Sequence, residues 1–208
     1  MNKFEYFSKL AQYSQNLLDR LPIELEPKPL SYCLGILQPE VEKIKEQEIV
    51  AINTIRAGET GIATYGNSND WQGLNTIGML MDRFTILLIR EWSLRHKANK
   101  NPAKAQEVYE KQTVDIMNAM AHAAPGSSAL NSKITHIKGG ANALDWDEAF
   151  YGLLTINLIL WESQEVLYIK DISVLPSEEL RDYISWFSRG NIVRNEYIQL
   201  CEELFWKI

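Results

Sequence analysis

Cysteine and histidine are scarce in this 208-residue chain, at 2 and 3 copies. Cys33 and Cys201 are too few for a disulfide framework or a cysteine zinc site, and their expected role is buried apolar filler. His96, His122 and His136 fall outside any H-E-x-x-H or Glu-x-x-His spacing, so no zinc-protease helix and no bundle dimetal site is encoded. The chain also lacks G-x-S-x-G and a phosphate-binding G-x-x-x-x-G-K-[ST] loop. No cofactor, no metal and no catalytic residue is therefore expected. Glycine and proline together number 18, too few for a collagenous or low-complexity chain.

Long apolar runs are missing too. The longest, Phe150–Trp161, is too short to span a bilayer and is interrupted by Thr155 and Asn157. Met1–Gln15 mixes Phe and Tyr with Lys, Glu, Ser and Gln, unlike the continuous apolar core of a secretory signal. A cytoplasmic location without membrane contact is the expectation. The net charge of −6 argues against binding a nucleic acid polymer.

What is present is apolar mass. The chain is 46% hydrophobic, with 6 Trp, 9 Tyr and 6 Phe, enough to fill the core of one domain over residues 1–208. A helical stripe runs from Phe4 through Leu10 and Leu17 to Leu21, where Pro22 stops it. Residues 22–30 hold three prolines and read as an extended connector, and 31–37 as a short helix or a short strand. Pro39 is read as the first residue of a helix carrying Val41, Ile44, Glu48, Ala51 and Ile55. After a polar loop at Gly58–Asp70, a helix from Trp71 to about Lys97 is apolar on nearly every side between Ile77 and Ile89. Asn101 and Pro102 open the next helix, and Pro125–Leu144 form a long connector in which 134–138 suit a short strand. Asp145 or Asp147 opens a second all-round apolar helix, and Ser177 opens a last one that Gly190 bends or divides. The fold class is all-α: a bundle of about six helices, two of them buried at the centre, with short strand pieces admitted only in loops.

Three segments carry a resemblance. Gly78-Met-Leu80-Met-Asp82-Arg83, continuing to Ile86, Ile89 and Arg90, is similar to a G-x-L-x-D-[RK]-x-x-I-x-x-I-[KR] helix of uncharacterised bacterial all-helical families. Asn157-Leu-Ile-Leu160-Trp161 resembles their N-x-x-L-W stretch, with Gln164-Glu165 in place of an acidic pair. Arg194-Asn195 through Ile198 to Glu202 resembles their terminal R-N-x-x-I stretch. The resemblance implies a helical fold and no particular chemistry.

Charge is uneven. From Arg83 to Lys138 nine basic residues face four acidic ones, a net of +5 that leaves −11 on the rest. Asp82 and Arg83 lie in the most apolar stretch, where a charge needs a partner. Arg83 and Arg90 share a stripe seven residues long and invite an anion between them, either Glu162 or a ligand phosphate. Lys133, His136 and Lys138, among glycines and serines and far from any acid, suit a loop closing over that ligand. Asn157 and Trp161, one turn apart, suit reading and stacking on a nucleobase. The structural alternatives are a salt-bridge network tying the two central helices, a solvated lysine loop and a core Trp. The function expected from these nine residues is non-enzymatic sequestration of a small anionic, nucleotide-derived ligand, as in a phage-type sponge for an immune signal. The first alternative is a hydrolase or transferase on a phosphorylated molecule, using Asp82 or Glu162 with His136. The second is a homodimeric helical interaction module, resting on the terminal aromatics Phe4, Tyr6, Phe7, Phe205 and Trp206.

Overall fold

The computed structural model describes residues 3–57, 76–97, 101–121 and 138–205. Among them no strand occurs, and the all-α class is observed. Helix α1 is Lys3–Asp19. Helix α2 is one rod of three stretches: α-helical Leu30–Tyr32, a π-helical turn at Cys33–Leu37, and α-helical Gln38–Ala57. Then come α3 (Ile77–His96), α4 (Pro102–Ala121), α5 (Trp146–Ile169) and α6 (Ser177–Phe205), with a 3₁₀ turn at Ile172–Val174 before α6. The expected strand segment 134–138 lies outside the described residues except for Lys138, and 31–37 is helical.

Helix boundaries follow local chemistry. Thr76 caps α3 by accepting from Met79 N, so the described helix begins there; Asp70 and Trp71 lie outside the described residues. Asn101 caps α4 by accepting from Lys104 N, as the sequence predicts, and of Asp145 and Asp147 it is Asp145 that caps α5, by accepting from Glu148 N. Pro39 does not begin a helix: α2 runs straight through it. Proline lacks an N–H and its ring crowds the carbonyl four residues back, so the coil widens just before it. Gln38 N accordingly bonds the Cys33 carbonyl, five residues away. Gly190 does not divide α6 either. It lets α6 close on α5, since a Cβ there would stand 2.9 Å from Leu160 Cδ2.

Two helices are central. Every residue from Ala149 to Leu160 of α5 is buried, whichever side of the helix it occupies. Helix α3 packs against α1, α4, α5 and α6, and α5 against α2, α3 and α6. One aromatic cluster closes the end where the termini meet: Tyr6 and Phe7 of α1, Trp146 and Phe150 of α5, and Phe205 of α6. Tyr6 and Phe7 are each 1% exposed and Phe205 is 6% exposed. These three terminal aromatics therefore belong to the monomer core. Each contributes about 1.5–3 kcal/mol of burial, so these three are not surface for a dimer; the Phe4 side chain and Trp206 lie outside the described residues. Cys33 and Cys201 are free and buried, as expected of filler.

Candidate functional site

Helices α3, α5 and α6 each carry one of the three motif segments, and the segments meet. Asp82, 4% exposed, lies on the side of α3 that faces α5 and α6. Arg194 reaches in from α6 and donates from Nε to Asp82 Oδ1 (2.7 Å) and from Nη2 to Oδ2 (2.6 Å). Asn157 of α5 donates from Nδ2 to the same Oδ1 (3.0 Å) and to Thr85 Oγ1 (2.9 Å). Thr85 Oγ1 in turn donates to the Asp82 carbonyl oxygen (2.9 Å). One turn nearer the start of α3, Gly78 N donates to Glu202 Oε2 of α6 (3.0 Å). A free amide of the first turn thus meets a carboxylate at the positive end of the helix. Gly78 is required by packing: a Cβ would sit 2.1 Å from the Ile198 carbonyl oxygen.

A second charged cluster closes the other end of α3. Lys97, the residue after the helix, is 7% exposed. Its Nζ donates at 2.7 Å to both Glu162 Oε2 and Glu165 Oε2 of α5, and lies 5.7 Å from the Trp92 ring centroid. Glu162 Oε1 is buried with no hydrogen-bond partner. Burial pushes the Glu162 carboxyl up to about 7. Lys97 pulls the other way, and the nearby Glu165 and Glu24 carboxylates add to the rise.

Of the nine residues singled out from the sequence, the seven that the structure describes do not converge on one pocket. Asp82 and Asn157 do come together, but they bond each other and Arg194. Arg83 and Arg90 are the two exposed residues of α3, turned to solvent rather than into the apolar centre. Glu162 pairs with Lys97 and not with either arginine. Trp161 is half-buried and packs against the core, and Lys138 is exposed. Lys133, His136 and His122 lie outside the described residues. His96 sits beside Asp19 and Arg95 at the end of α3. Three cavities among the described residues are lined by other side chains. No group of three or more His, Cys, Asp or Glu suited to a metal occurs among the described residues, and no described helix is long and apolar enough to cross a membrane.

Sequence reasoning passed over Arg194, Thr85, Lys97 and Glu202 as site residues. The signal for Arg194 was present: a carboxylate in an apolar helix demands a cation, and Arg194 belongs to the third motif. The signal for Lys97 was weaker: two glutamates three residues apart on a buried helix need a counter-charge. No protein-family model, no curated protein and no solved structure matches the chain. The resemblance to bacterial helical families therefore rests on the three short motifs.

Two outcomes follow. Arg194→Leu strands a buried carboxylate and should cost about 3–5 kcal/mol in urea unfolding, whereas Asp82→Leu/Arg194→Leu should recover part of that loss. A double variant no more stable than Arg194→Leu would remove the ion pair as the cause. For Glu162, the folded state holds a proton up to about pH 7 while the unfolded chain releases it near 4.5. The folded state binds more protons across that window, so stability falls as pH rises from about 4.5 to about 7, by roughly 3 kcal/mol. Glu162→Gln should flatten this slope in melts run between pH 5 and pH 8.

Proposed function

We propose that this protein is a non-enzymatic interaction module that pairs with a second copy of itself. One observation supports the reading: an apolar surface at the end of the bundle where α5 stops. Tyr168 is 79% exposed, Ile169 69%, Val174 73%, Leu25 60% and Ile172 50%. Leu25, Leu94, Tyr168 and Ile169 border one hollow of about 160 Å³, with Lys97 and Glu165 among its polar lining. Large apolar side chains gathered around a recess mark an association surface more often than a bare one. Closed homo-oligomers are mostly two-fold dimers in which one patch meets itself, and a patch of aliphatic and aromatic groups is self-complementary. The net charge of −6 opposes that pairing at long range. Salt screens the repulsion and leaves the apolar contact intact.

In sedimentation, the dimer fraction should therefore rise with protein concentration and also with salt between about 0.05 and 0.5 M. Tyr168→Asp/Ile169→Asp should remain monomeric with unchanged helical circular dichroism. A wild-type chain that stays monomeric throughout overturns the reading.

A second reading keeps the anionic, nucleotide-derived ligand, moved from the helix interface to the surface. Arg83 and Arg90 stand exposed on one stripe of α3, about 10 Å apart along the axis, with no carboxylate partner among the described residues. Saturating nucleotide or sugar phosphate should raise the melting temperature, with about 2–3 kcal/mol at a hundredfold excess over Kd. The gain should shrink with salt and vanish in Arg83→Ala/Arg90→Ala. A melting screen without any shift removes this reading. The two readings respond to salt in opposite directions.

A further inference from the structure

A groove beside the other end of the 22–30 connector, at Pro29 and Leu30, has a different chemistry. It runs between the start of α2 and the first half of α6 and encloses about 590 Å³. Its floor is apolar: Leu30 is buried, and Leu34 and Trp186 are half-buried. The Trp186 ring is held in place, since Nε1 donates to Ser163 Oγ of α5 at 3.3 Å. Along its α6 wall, Glu178, Asp182, Ser185 and Arg189 follow one another at helical spacing, with Glu179 beside them. This wall is about 16 Å long, or three helical turns. Among the described residues no basic side chain forms an ion pair with Glu178, Glu179 or Asp182.

We propose that this groove docks a cationic amphipathic helix of another protein. The apolar floor takes the partner's aliphatic anchors at three- and four-residue spacing, with the Trp186 face as the central platform. Partner lysines or arginines neutralise the three carboxylates, and an acidic group at the far end meets Arg189. A second copy of this chain is the poorer occupant, because two such faces would gather six carboxylates against only two Arg189 guanidiniums. The groove thus goes beyond the self-pairing end described above, and the two surfaces select opposite kinds of partner.

Fluorescence anisotropy tests this on the full chain. The probe is a labelled 15-residue helical peptide of leucine and lysine on opposite faces; its counterpart carries glutamate for lysine. The lysine peptide should saturate in the micromolar range, at least about tenfold tighter than the glutamate peptide. Glu178→Lys/Asp182→Lys, on an exposed wall, should reverse that order. Ser185→Trp should block both peptides by filling the groove, and circular dichroism checks that each variant is folded. Tyr168→Asp/Ile169→Asp should bind the lysine peptide as the wild type does. Equal binding of the two peptides, an unreversed preference in the charge variant, or no saturation below about 1 mM would overturn the proposal. Loss of binding in the Tyr168→Asp/Ile169→Asp variant would place the peptide on the self-pairing end and overturn it as well.

Discussion

The Asp82 carboxylate sits where water does not reach, and the arrangement of three helices answers to that. An ionised side chain in an apolar interior needs an opposite charge and enough donors to use its lone pairs. Arg194 supplies the charge through two bonds of its fork, and Asn157 supplies a third donor. These partners come from α6 and α5, so Asp82 sets the register of both helices against α3. The pairs Asp82–Arg194 and Gly78–Ile198 step in opposite directions along their chains, which makes α3 and α6 antiparallel. Sliding α6 by one turn, about 5.4 Å, would lose both the ion pair and the bond from Gly78 N to Glu202. Forming such a pair yields little net stability, but breaking it is costly, so its principal effect is to exclude wrong registers.

Close approach makes this possible. At Gly78 the α6 backbone lies where a Cβ would be, and at Gly152 the Tyr197 ring does so, 2.2 Å from that position. Gly190 admits Leu160 in the reverse sense, from α5 into α6. Glycine costs a helix about 1 kcal/mol relative to alanine at each position, and burial along the α5–α6 and α3–α6 seams offsets that cost. The two charged clusters differ in balance. Asp82 is met by one full counter-charge, whereas Lys97 is shared by Glu162 and Glu165. Burial, with the Glu165 and Glu24 carboxylates adding to it and Lys97 only partly opposing, is why Glu162 holds its proton into the neutral range.

Asp82, Thr85 and Asn157 are bonded to one another and to Arg194, so that cluster offers no free group to a ligand. Among the described residues the solvent-facing features include an apolar end, a pair of arginines on α3 and an acidic groove along α6. The arginines share one helix, whereas the apolar end and the groove are each the work of side chains from separate parts of the chain. The hollow at the apolar end joins Leu25 to Tyr168, and the groove joins Leu30 to Trp186.

Much of the fold was written in local pattern. The two all-round apolar stretches marked the central helices, because a helix without a polar side can only be buried. Asn101 and Asp145 marked helix starts, because their side chains satisfy amides that the helix leaves open. Asp82 was recognisable as a charge in need of a partner. Which partner it took was not, since Arg194 is 112 residues away and Arg83 is adjacent. Side-chain direction decided it: neighbours on a helix diverge by about 100°, so Arg83 faces solvent while Asp82 faces the core. The same holds for Tyr6, Phe7 and Phe205, whose shared cluster depends on both ends of the chain arriving beside Trp146. Sequence by itself determined which segments are helical and which must be buried, because those follow from spacing within a few turns. Tertiary structure alone decided which charges are quenched and which remain for a partner, because that depends on helices far apart in the chain meeting in one register.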